Sequence, residues 1–333
     1  MEQRADSIWV GGRAVAGGNP RIVEFKDLCQ HPRWTEFSVE REGLTVSLET
    51  RQLEPFGVEV LSLDLREPIS DDEWQSLREV VTREGLVLFR DQPLEAEAQI
   101  ELGLRFGEIE NTSLEEGPID AATIRLSNVD ESGAVLEDDD VSMHLVSINE
   151  SWHTDSSFRD MPASFSLFSG ITVPEEGGDT FFASLQTGWD AIASEEQASL
   201  FELTGIHDYE QAYALREVDM TQVFGGAAPS ARHPLVRRHP ETGRTGLFIS
   251  EHMFGIEGMA QHEAKVLIQR LLSACVEPSR VYRHRWSVGD LLIWDNRSML
   301  HRAQGFDRRF PRVMHHVRIA GFESPIRGER TAE

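Results

Sequence analysis

His153 and Asp155, separated by one residue, are two side chains that could hold a metal ion together. They precede a strand-like run, and residues i and i+2 of a strand point to the same face, so we expect both to reach one ion. An ordinary hydrogen-bonded histidine beside an aspartate has the same spacing. A second pair, His239 and Glu241, falls in a Pro-Glu-Thr-Gly turn, and we interpret it as surface decoration.

A third candidate ligand, His301, lies much further along the chain. The apolar run that begins at Leu291 predicts a buried strand followed by a turn, and we expect Asp295 and Asn296 to shape the turn that directs His301. Two histidines and one carboxylate on one face of an iron ion leave positions open for further ligands, as in non-haem Fe(II) oxygenases. The three ligand types also fit a zinc hydrolase or a non-catalytic metal-binding module, and both remain alternatives.

A cationic stripe follows the third ligand. Period-2 alternation places one set of polar and long side chains on a single face, namely Arg312, Met314, His316 and Arg318. In one interpretation these residues are solvent-facing charges on an edge strand. In the functional interpretation, Arg312 binds a carboxylate through its forked guanidinium. His316 and Arg318 are candidates for binding a substrate carboxylate, with strand packing or cosubstrate binding as alternatives. His144 and Asn149, upstream of the His-x-Asp pair, are further candidates for the substrate pocket.

The elements that would position these residues are mainly strands. Alternating runs in residues 44–48 and 58–63 predict two strands, and Ser70 with Glu73 forms a capping box for a helix that ends at Gly85. A buried strand, residues 86–89, and a helix, residues 95–106, come next. Further strands are predicted at residues 164–172, 179–183, 246–250, 281–286, 291–294 and 312–320, with helices at 188–203 and 261–276.

This order predicts the fold class. Strands and helices do not alternate as in a parallel doubly wound sheet, so we expect a mainly β protein with flanking helices, a double-stranded β-helix or jelly roll. The predicted organisation is an N-terminal extension at residues 1–43, one domain at 44–325 and a C-terminal tail at 326–333. Residues 108–150 are acidic and are interpreted as a long loop or lid.

Composition excludes several classes of partner. The 333 residues carry 32 Lys and Arg against 57 Asp and Glu, a net charge of −25, which disfavours nucleic acids and anionic membranes. Only two cysteines are present, and no signal peptide or membrane span is recognisable, so we expect a cytoplasmic protein. Phosphate-loop, GxSxG, HExxH and GxGxxG motifs are missing. We expect a small-molecule substrate, and a homo-oligomer stays open.

At these motifs the chain resembles the taurine dioxygenase family of Fe(II)/2-oxoglutarate-dependent oxygenases. The resemblance rests on Trp-His-Thr-Asp ending at Asp155, Gly-Gly-Asp-Thr ending at Thr180, Trp-Asp-Asn-Arg before His301, and Arg-Val-Met-His starting at Arg312. It covers roughly residues 44–321. It implies a distorted jelly roll that uses Fe(II), 2-oxoglutarate and O2.

The resemblance also implies roles for residues. His153, Asp155 and His301 match the iron ligands, while Thr180 and Arg312 match the positions that grip the distal carboxylate of 2-oxoglutarate. The implied reaction hydroxylates a C–H bond and releases succinate and CO2. Related halogenases replace the acidic ligand with a small residue, so Asp155 favours hydroxylation.

Within the family, the chain looks most like the aryloxyalkanoate dioxygenases. Where taurine dioxygenase places an arginine that binds the substrate anion, this sequence has His316, a departure that the (S)-phenoxypropionate branch shares. Hydroxylation next to an ether oxygen would give a hemiacetal that collapses, with net ether cleavage. A sulfonate or natural-product hydroxylase of the same family is the alternative.

Overall fold

The computed structural model describes residues 34–38, 47–111, 124–130, 132–137, 143, 148–214 and 229–329. The described strands are β1 (Trp34–Ser38), β2 (Ser47–Gln52), β3 (Val58–Val60), β4 (Leu86–Phe89), β5 (Ile124–Ser127), β6 (Phe165–Thr172), β7 (Thr180–Ser184), β8 (Thr204–Asp208), β9 (Ser230–Pro234), β10 (Val236–Arg238), β11 (Thr245–Leu247), β12 (Gly255–Ile256), β13 (Val281–His284), β14 (Leu291–Asp295), β15 (Met299–Ala303), β16 (Val313–Arg318) and β17 (Ile326–Arg327). The described helices are α1 (Asp71–Glu84), α2 (Ala96–Phe106), α3 (Leu185–Asp190), α4 (Ser194–Leu200), α5 (Tyr209–Ala214) and α6 (Gln261–Cys275), with a 3-10 turn at Pro278–Arg280.

Two facing sheets form the centre of the fold. The largest sheet of the described residues has eight strands in the order β1-β2-β3-β4-β14-β6-β16-β5, and a three-stranded sheet, β13-β7-β15, lies across from it. Side chains from both sheets, such as Phe182, Trp294 and Met314, meet in one buried cluster between them. Helices α1 and α2 cover the outer face of the large sheet. This is the predicted jelly roll with flanking helices.

Alternation along β14 shows how each strand serves two layers. Leu291 and Ile293 belong to the cluster under the helices, whereas Leu292 and Trp294 belong to the cluster between the sheets. All four side chains are almost completely buried, because a strand covered on both faces buries both sets of side chains. Polar residues on the strand faces between the two sheets therefore point into the interior of the jelly roll.

The predicted helix signals are largely confirmed. The Ser70 hydroxyl accepts the Glu73 N–H, the Glu73 carboxylate accepts the Ser70 N–H, and Gly85 ends α1 in the left-handed conformation. The single helix expected at residues 188–203 is wrong. Two short helices, α3 and α4, occupy this stretch, because Ser194 starts a new first turn that contains two glutamates.

Three segments that the sequence analysis placed outside the strands of the domain contain strands in the structure. β1 lies within the predicted N-terminal extension and pairs with β2, and β17 lies within the predicted tail and pairs with β10. β5 lies within the acidic region 108–150 and pairs with β16, so the interpretation of that whole region as a loop is wrong at Ile124–Ser127. None of the helices in the described part of the chain is long and apolar enough to cross a bilayer.

Candidate metal centre and active site

His153 and His301 meet through their backbones. The N–H of each donates to the carbonyl oxygen of the other, at 2.9 and 2.8 Å, in an isolated antiparallel bridge. His301 lies in β15, which pairs with β7, whereas Asp155 lies in a turn. The strand geometry used for the His-x-Asp pair therefore ends at this single bridge, although the side chains of His153 and Asp155 do converge as expected.

The three predicted ligands form one cluster. Candidate ligand atoms of His153, Asp155 and His301 all lie within 4.8 Å of one another, and all three side chains are buried. The His301 Nε2 lies 3.8 Å from the Asp155 Oδ1. One ion could therefore contact all three.

The protonation states of the cluster are those of metal ligands. Burial lowers the pKa of His153, and burial together with His153 lowers the pKa of His301 well below its usual value. Burial alone would raise the pKa of Asp155, but His301 and His316 outweigh it and hold that pKa well below its usual range. Two neutral imidazoles and one carboxylate are the forms that bind Fe(II).

The chain also fixes the orientation of the first histidine. The Nδ1 of His153 lies 2.7 Å from the Ser151 carbonyl oxygen, which can only accept a hydrogen bond. Nδ1 therefore carries the proton, and Nε2 keeps its lone pair for a metal ion. This tautomer fits a metal centre.

Arg312 and Thr180 lie on the wall of the same cavity as Asp155 and His301. Arg312 is buried and donates to the Gly178 carbonyl oxygen at 3.1 Å. Burial lowers the pKa of Arg312 to about 10, which leaves the guanidinium charged at neutral pH. The Thr180 hydroxyl accepts the Trp286 Nε1–H at 3.0 Å, so its own hydrogen is available to a carboxylate in the cavity.

The glycines of the Gly-Gly-Asp-Thr motif make room for this arginine. Gly177 and Gly178 have φ angles of +78° and +69°, which L-residues with side chains rarely adopt. A Cβ on Gly178 would lie 3.0 Å from the Arg312 Nε. The motif therefore shapes the turn before Thr180 and lets the guanidinium pass against the backbone.

The rest of the cavity wall combines aromatic, aliphatic and polar side chains. Phe168, Trp294 and Phe306 line it together with the polar residues His316 and Asn149. Phe168 and Trp294 belong to the core between the sheets and also face the cavity. The cavity thus offers aromatic side chains next to the cluster of ligands.

β16 is an interior strand, between β6 and β5, so the edge-strand interpretation of its charges is wrong. His316 is buried, with Nε2 3.5 Å from the Asp155 Oδ2. Arg318 lies 3.9 Å from the Asp155 Oδ1 and 3.3 Å from the Glu110 Oε2. Glu110, a buried carboxylate that sequence reasoning missed, is the counter-ion of Arg318. His144 lies outside the described residues.

His239 is not surface decoration. It is buried, and its Nε2 lies 3.0 Å from the Asp295 Oδ2. The predicted turn is present, since the N–H groups of Glu241 and Thr242 donate to the His239 Nδ1. This acceptor role means that His239 donates from Nε2 to Asp295, and the pair supports the turn between β14 and β15.

The sequence profile of the family described as taurine catabolism dioxygenase TauD, TfdA family matches residues 49–319. The chain belongs to this family. The TauD/TfdA chain is 34% identical over 269 residues to the alpha-ketoglutarate-dependent 2,4-dichlorophenoxyacetate dioxygenase of Cupriavidus pinatubonensis, which covers 79% of this chain and 94% of that protein. It is also 34% identical over 275 residues to the (S)-phenoxypropionate/alpha-ketoglutarate-dioxygenase of Sphingobium herbicidovorans, with 80% and 92% covered.

Solved structures agree with this TauD/TfdA assignment. The crystal structure of AAD-2 in complex with Mn(II) and N-oxalylglycine is similar at a TM-score of 0.75 and 31% identity, covering 84% of this chain and 99% of that one. The predicted family, jelly roll and enzyme class are confirmed: the chain is an Fe(II)- and 2-oxoglutarate-dependent dioxygenase that uses O2. This membership sets aside the zinc hydrolase and the non-catalytic module.

Proposed function

We propose that this TauD/TfdA enzyme hydroxylates a C–H bond of a small carboxylate-bearing substrate of the aryloxyalkanoate class. The observation that carries the proposal is the shared cavity, in which Asp155 and His301 lie on the same wall as Thr180 and Arg312. Two similar proteins are named for phenoxyalkanoate substrates. The aromatic side chains of the cavity, Phe168, Trp294 and Phe306, suit the aryl ring of such a substrate.

The residues have separate tasks in this proposal. His153, Asp155 and His301 hold Fe(II), which when bound supplies the oxygen chemistry that converts 2-oxoglutarate to succinate and CO2 and hydroxylates the substrate. Arg312 and Thr180 hold the distal carboxylate of 2-oxoglutarate by a charge-assisted and a hydroxyl hydrogen bond. Their fixed positions orient the cosubstrate before the reaction begins.

We assign substrate binding to polar residues that hold neither the metal ion nor 2-oxoglutarate. His316 and Asn149 line the cavity, and Arg318 lies beside His316 in the charge network around Asp155. We propose that His316 and Arg318 bind the substrate carboxylate, with Asn149 and His144 completing the pocket. Hydroxylation of the carbon next to the ether oxygen gives a hemiacetal, which collapses to a phenol and a ketone or aldehyde acid.

Substrate panels test this proposal. Iron-loaded protein with 2-oxoglutarate under air is offered phenoxyacetates, both enantiomers of phenoxypropionate, alkyl sulfonates and alkyl sulfates, and succinate and phenol are quantified. We expect phenol and succinate in equal amounts from a phenoxyalkanoate and no succinate from the Asp155→Ala variant. Coupled turnover with sulfonates or sulfates alone would refute the substrate class, and full activity of Asp155→Ala would refute the ligand assignment.

The amino-acid composition supports proposals about the location of the protein and its partners. Two cysteines in 333 residues fit a reducing cytoplasm, and the net charge of −25 disfavours nucleic acids and anionic membranes as partners. Size-exclusion chromatography with light scattering measures whether the enzyme is a homo-oligomer.

A further inference from the structure

The geometry points to Ser166 and Asn296 as positioning residues that hold one carboxylate oxygen of Asp155 and leave the other as the metal ligand. The Ser166 hydroxyl donates to the Asp155 Oδ2 at 2.7 Å. The Asn296 Nδ2 donates to the Ser166 Oγ at 2.8 Å. A chain of two hydrogen bonds thus runs from the β14–β15 turn through β6 to the carboxylate.

The direction of this chain follows from a third residue. The Trp294 Nε1–H is only a donor, and it lies 2.9 Å from the Asn296 Oδ1. That contact assigns the oxygen of the Asn296 amide to the tryptophan and turns the NH2 group toward Ser166. Because the Ser166 oxygen accepts from Asn296, its single hydrogen is directed to Asp155.

Asn296 is itself fixed by hydrogen bonds of both its backbone and its side chain. Its N–H donates to the Ser164 carbonyl oxygen at 2.9 Å, and its carbonyl oxygen accepts from the Arg237 Nη2 at 2.8 Å. Its Oδ1 also receives the backbone N–H of Asp155 at 3.3 Å. The amide therefore fixes both the backbone and, through Ser166, the side chain of the acidic ligand.

The two oxygens of Asp155 are consequently different. Oδ2 has the Ser166 hydroxyl at 2.7 Å and the His316 Nε2 at 3.5 Å. Oδ1 has longer contacts, 3.8 Å to the His301 Nε2 and 3.9 Å to the Arg318 Nη1. Oδ1 is therefore the oxygen that faces the second histidine ligand with its lone pairs available.

Burial makes this arrangement rigid. Ser166 is 0% exposed and Asn296 2% exposed, so both hydrogen bonds are shielded from solvent in the folded protein. Partners that orient a ligating side chain typically contribute about 10- to 100-fold to metal affinity. We therefore expect Ser166 and Asn296 to act on the affinity for the metal ion rather than on the substrate.

The same strand provides a matched control. Ser169 is also buried in β6, and its hydroxyl donates to the Gln99 Oε1 at 2.7 Å. Gln99 belongs to α2, on the opposite side of the large sheet from the cavity. Each alanine variant removes a buried 2.7 Å hydrogen bond that a serine of the same strand donates, and Ser166→Ala also removes the bond that Ser166 accepts from Asn296. Only Ser166→Ala touches a ligand.

The experiment measures metal binding and not turnover. The inference rests on the metal centre of the proposed function, so Mn(II) is titrated into the full-length apo protein without 2-oxoglutarate or substrate, and free Mn(II) is followed by electron paramagnetic resonance. We expect Ser166→Ala to raise the Kd for Mn(II) by about 10- to 100-fold, while Ser169→Ala keeps the wild-type Kd. Thermal melts report the structural cost, which we expect to be larger for Ser166→Ala because that variant also leaves the Asn296 amide without its Ser166 acceptor.

The possible failures are distinguishable. If wild-type protein binds Mn(II) and both alanine variants bind it equally well, the positioning role is refuted while the metal centre stands. If wild-type protein does not bind Mn(II), the metal centre is refuted and this inference with it. Should Ser166→Ala fail to fold, Ser166→Cys keeps the volume with a weaker donor, and an unchanged Kd in that variant would equally overturn the inference.

Discussion

His153 and His301 hold each other through two reciprocal backbone hydrogen bonds, and their rings lie 4.1 Å apart. Directly opposed residues of an antiparallel bridge have closely spaced Cα atoms. The backbone positions that carry these two imidazoles are therefore fixed relative to each other.

Arg312→Ala is predicted to weaken the binding of 2-oxoglutarate. Hydrogen bonds to charged groups contribute about 1.5–3 kcal/mol, and each 1.4 kcal/mol is about tenfold in affinity, so we expect the KM for 2-oxoglutarate to rise at least about tenfold. The KM of Arg312→Lys should fall between those of the wild type and Arg312→Ala, because lysine keeps the positive charge but not the forked geometry of the guanidinium. Arg309→Ala removes an exposed arginine that pairs with Asp307 and serves as the control. An unchanged KM in Arg312→Ala would move the carboxylate-binding role elsewhere.

Gly178→Ala is also predicted to weaken the binding of 2-oxoglutarate, by displacing Arg312. The new Cβ would press on Arg312, whereas an alanine at Gly243, which has a similar φ of +71°, would meet nothing within 4 Å among the described residues. Both changes carry a backbone cost of about 1–2 kcal/mol and should lower the Tm comparably. Only Gly178→Ala should raise the KM for 2-oxoglutarate, and equal KM values in the two variants would contradict the proposed contact.

Asp295 is predicted to give the enzyme an acid-sensitive stability. Burial alone would raise the pKa of Asp295, but Arg297 and His239 hold it below its usual value. Because the folded-state pKa lies below the unfolded value of about 3.9, the stabilisation is complete above that pH and is lost as the pH falls toward the folded-state pKa.

The Asp295→Asn variant tests this dependence. Removing one member of a buried ion pair costs about 3–5 kcal/mol, so we expect a lower urea midpoint at pH 7. Below about pH 4 the midpoint of the wild type should fall more steeply than that of the variant. Parallel pH profiles would show that another group is responsible.

The sequence was sufficient for the fold class and for the clustering of His153, Asp155 and His301, since both leave local signals. Alternation placed Met314 and Val317 on opposite faces of β16, as the two core clusters show. The capping box at Ser70 set the start of α1 because its partners are three residues apart. Such features depend on neighbours along the chain.

Contacts between distant segments could not be predicted. Glu110 lies in an acidic stretch with no motif, and only the folded chain brings it beside Arg159 and Arg318. His239 was misjudged because its turn is local but its burial against Asp295 is tertiary. Ser166 had a usable signal, a polar residue between Phe165 and Leu167 in a buried strand, yet its partner Asp155 could not be inferred.

The central claim is that His153, Asp155 and His301 bind one ferrous ion that also accepts 2-oxoglutarate. The most direct test is an anaerobic difference absorption spectrum of iron-loaded protein with and without 2-oxoglutarate, for the wild type and for His301→Ala. We predict a visible charge-transfer band in the wild type that is absent from the variant. A band of equal intensity in His301→Ala, or no band in an iron-loaded wild type, would contradict the account.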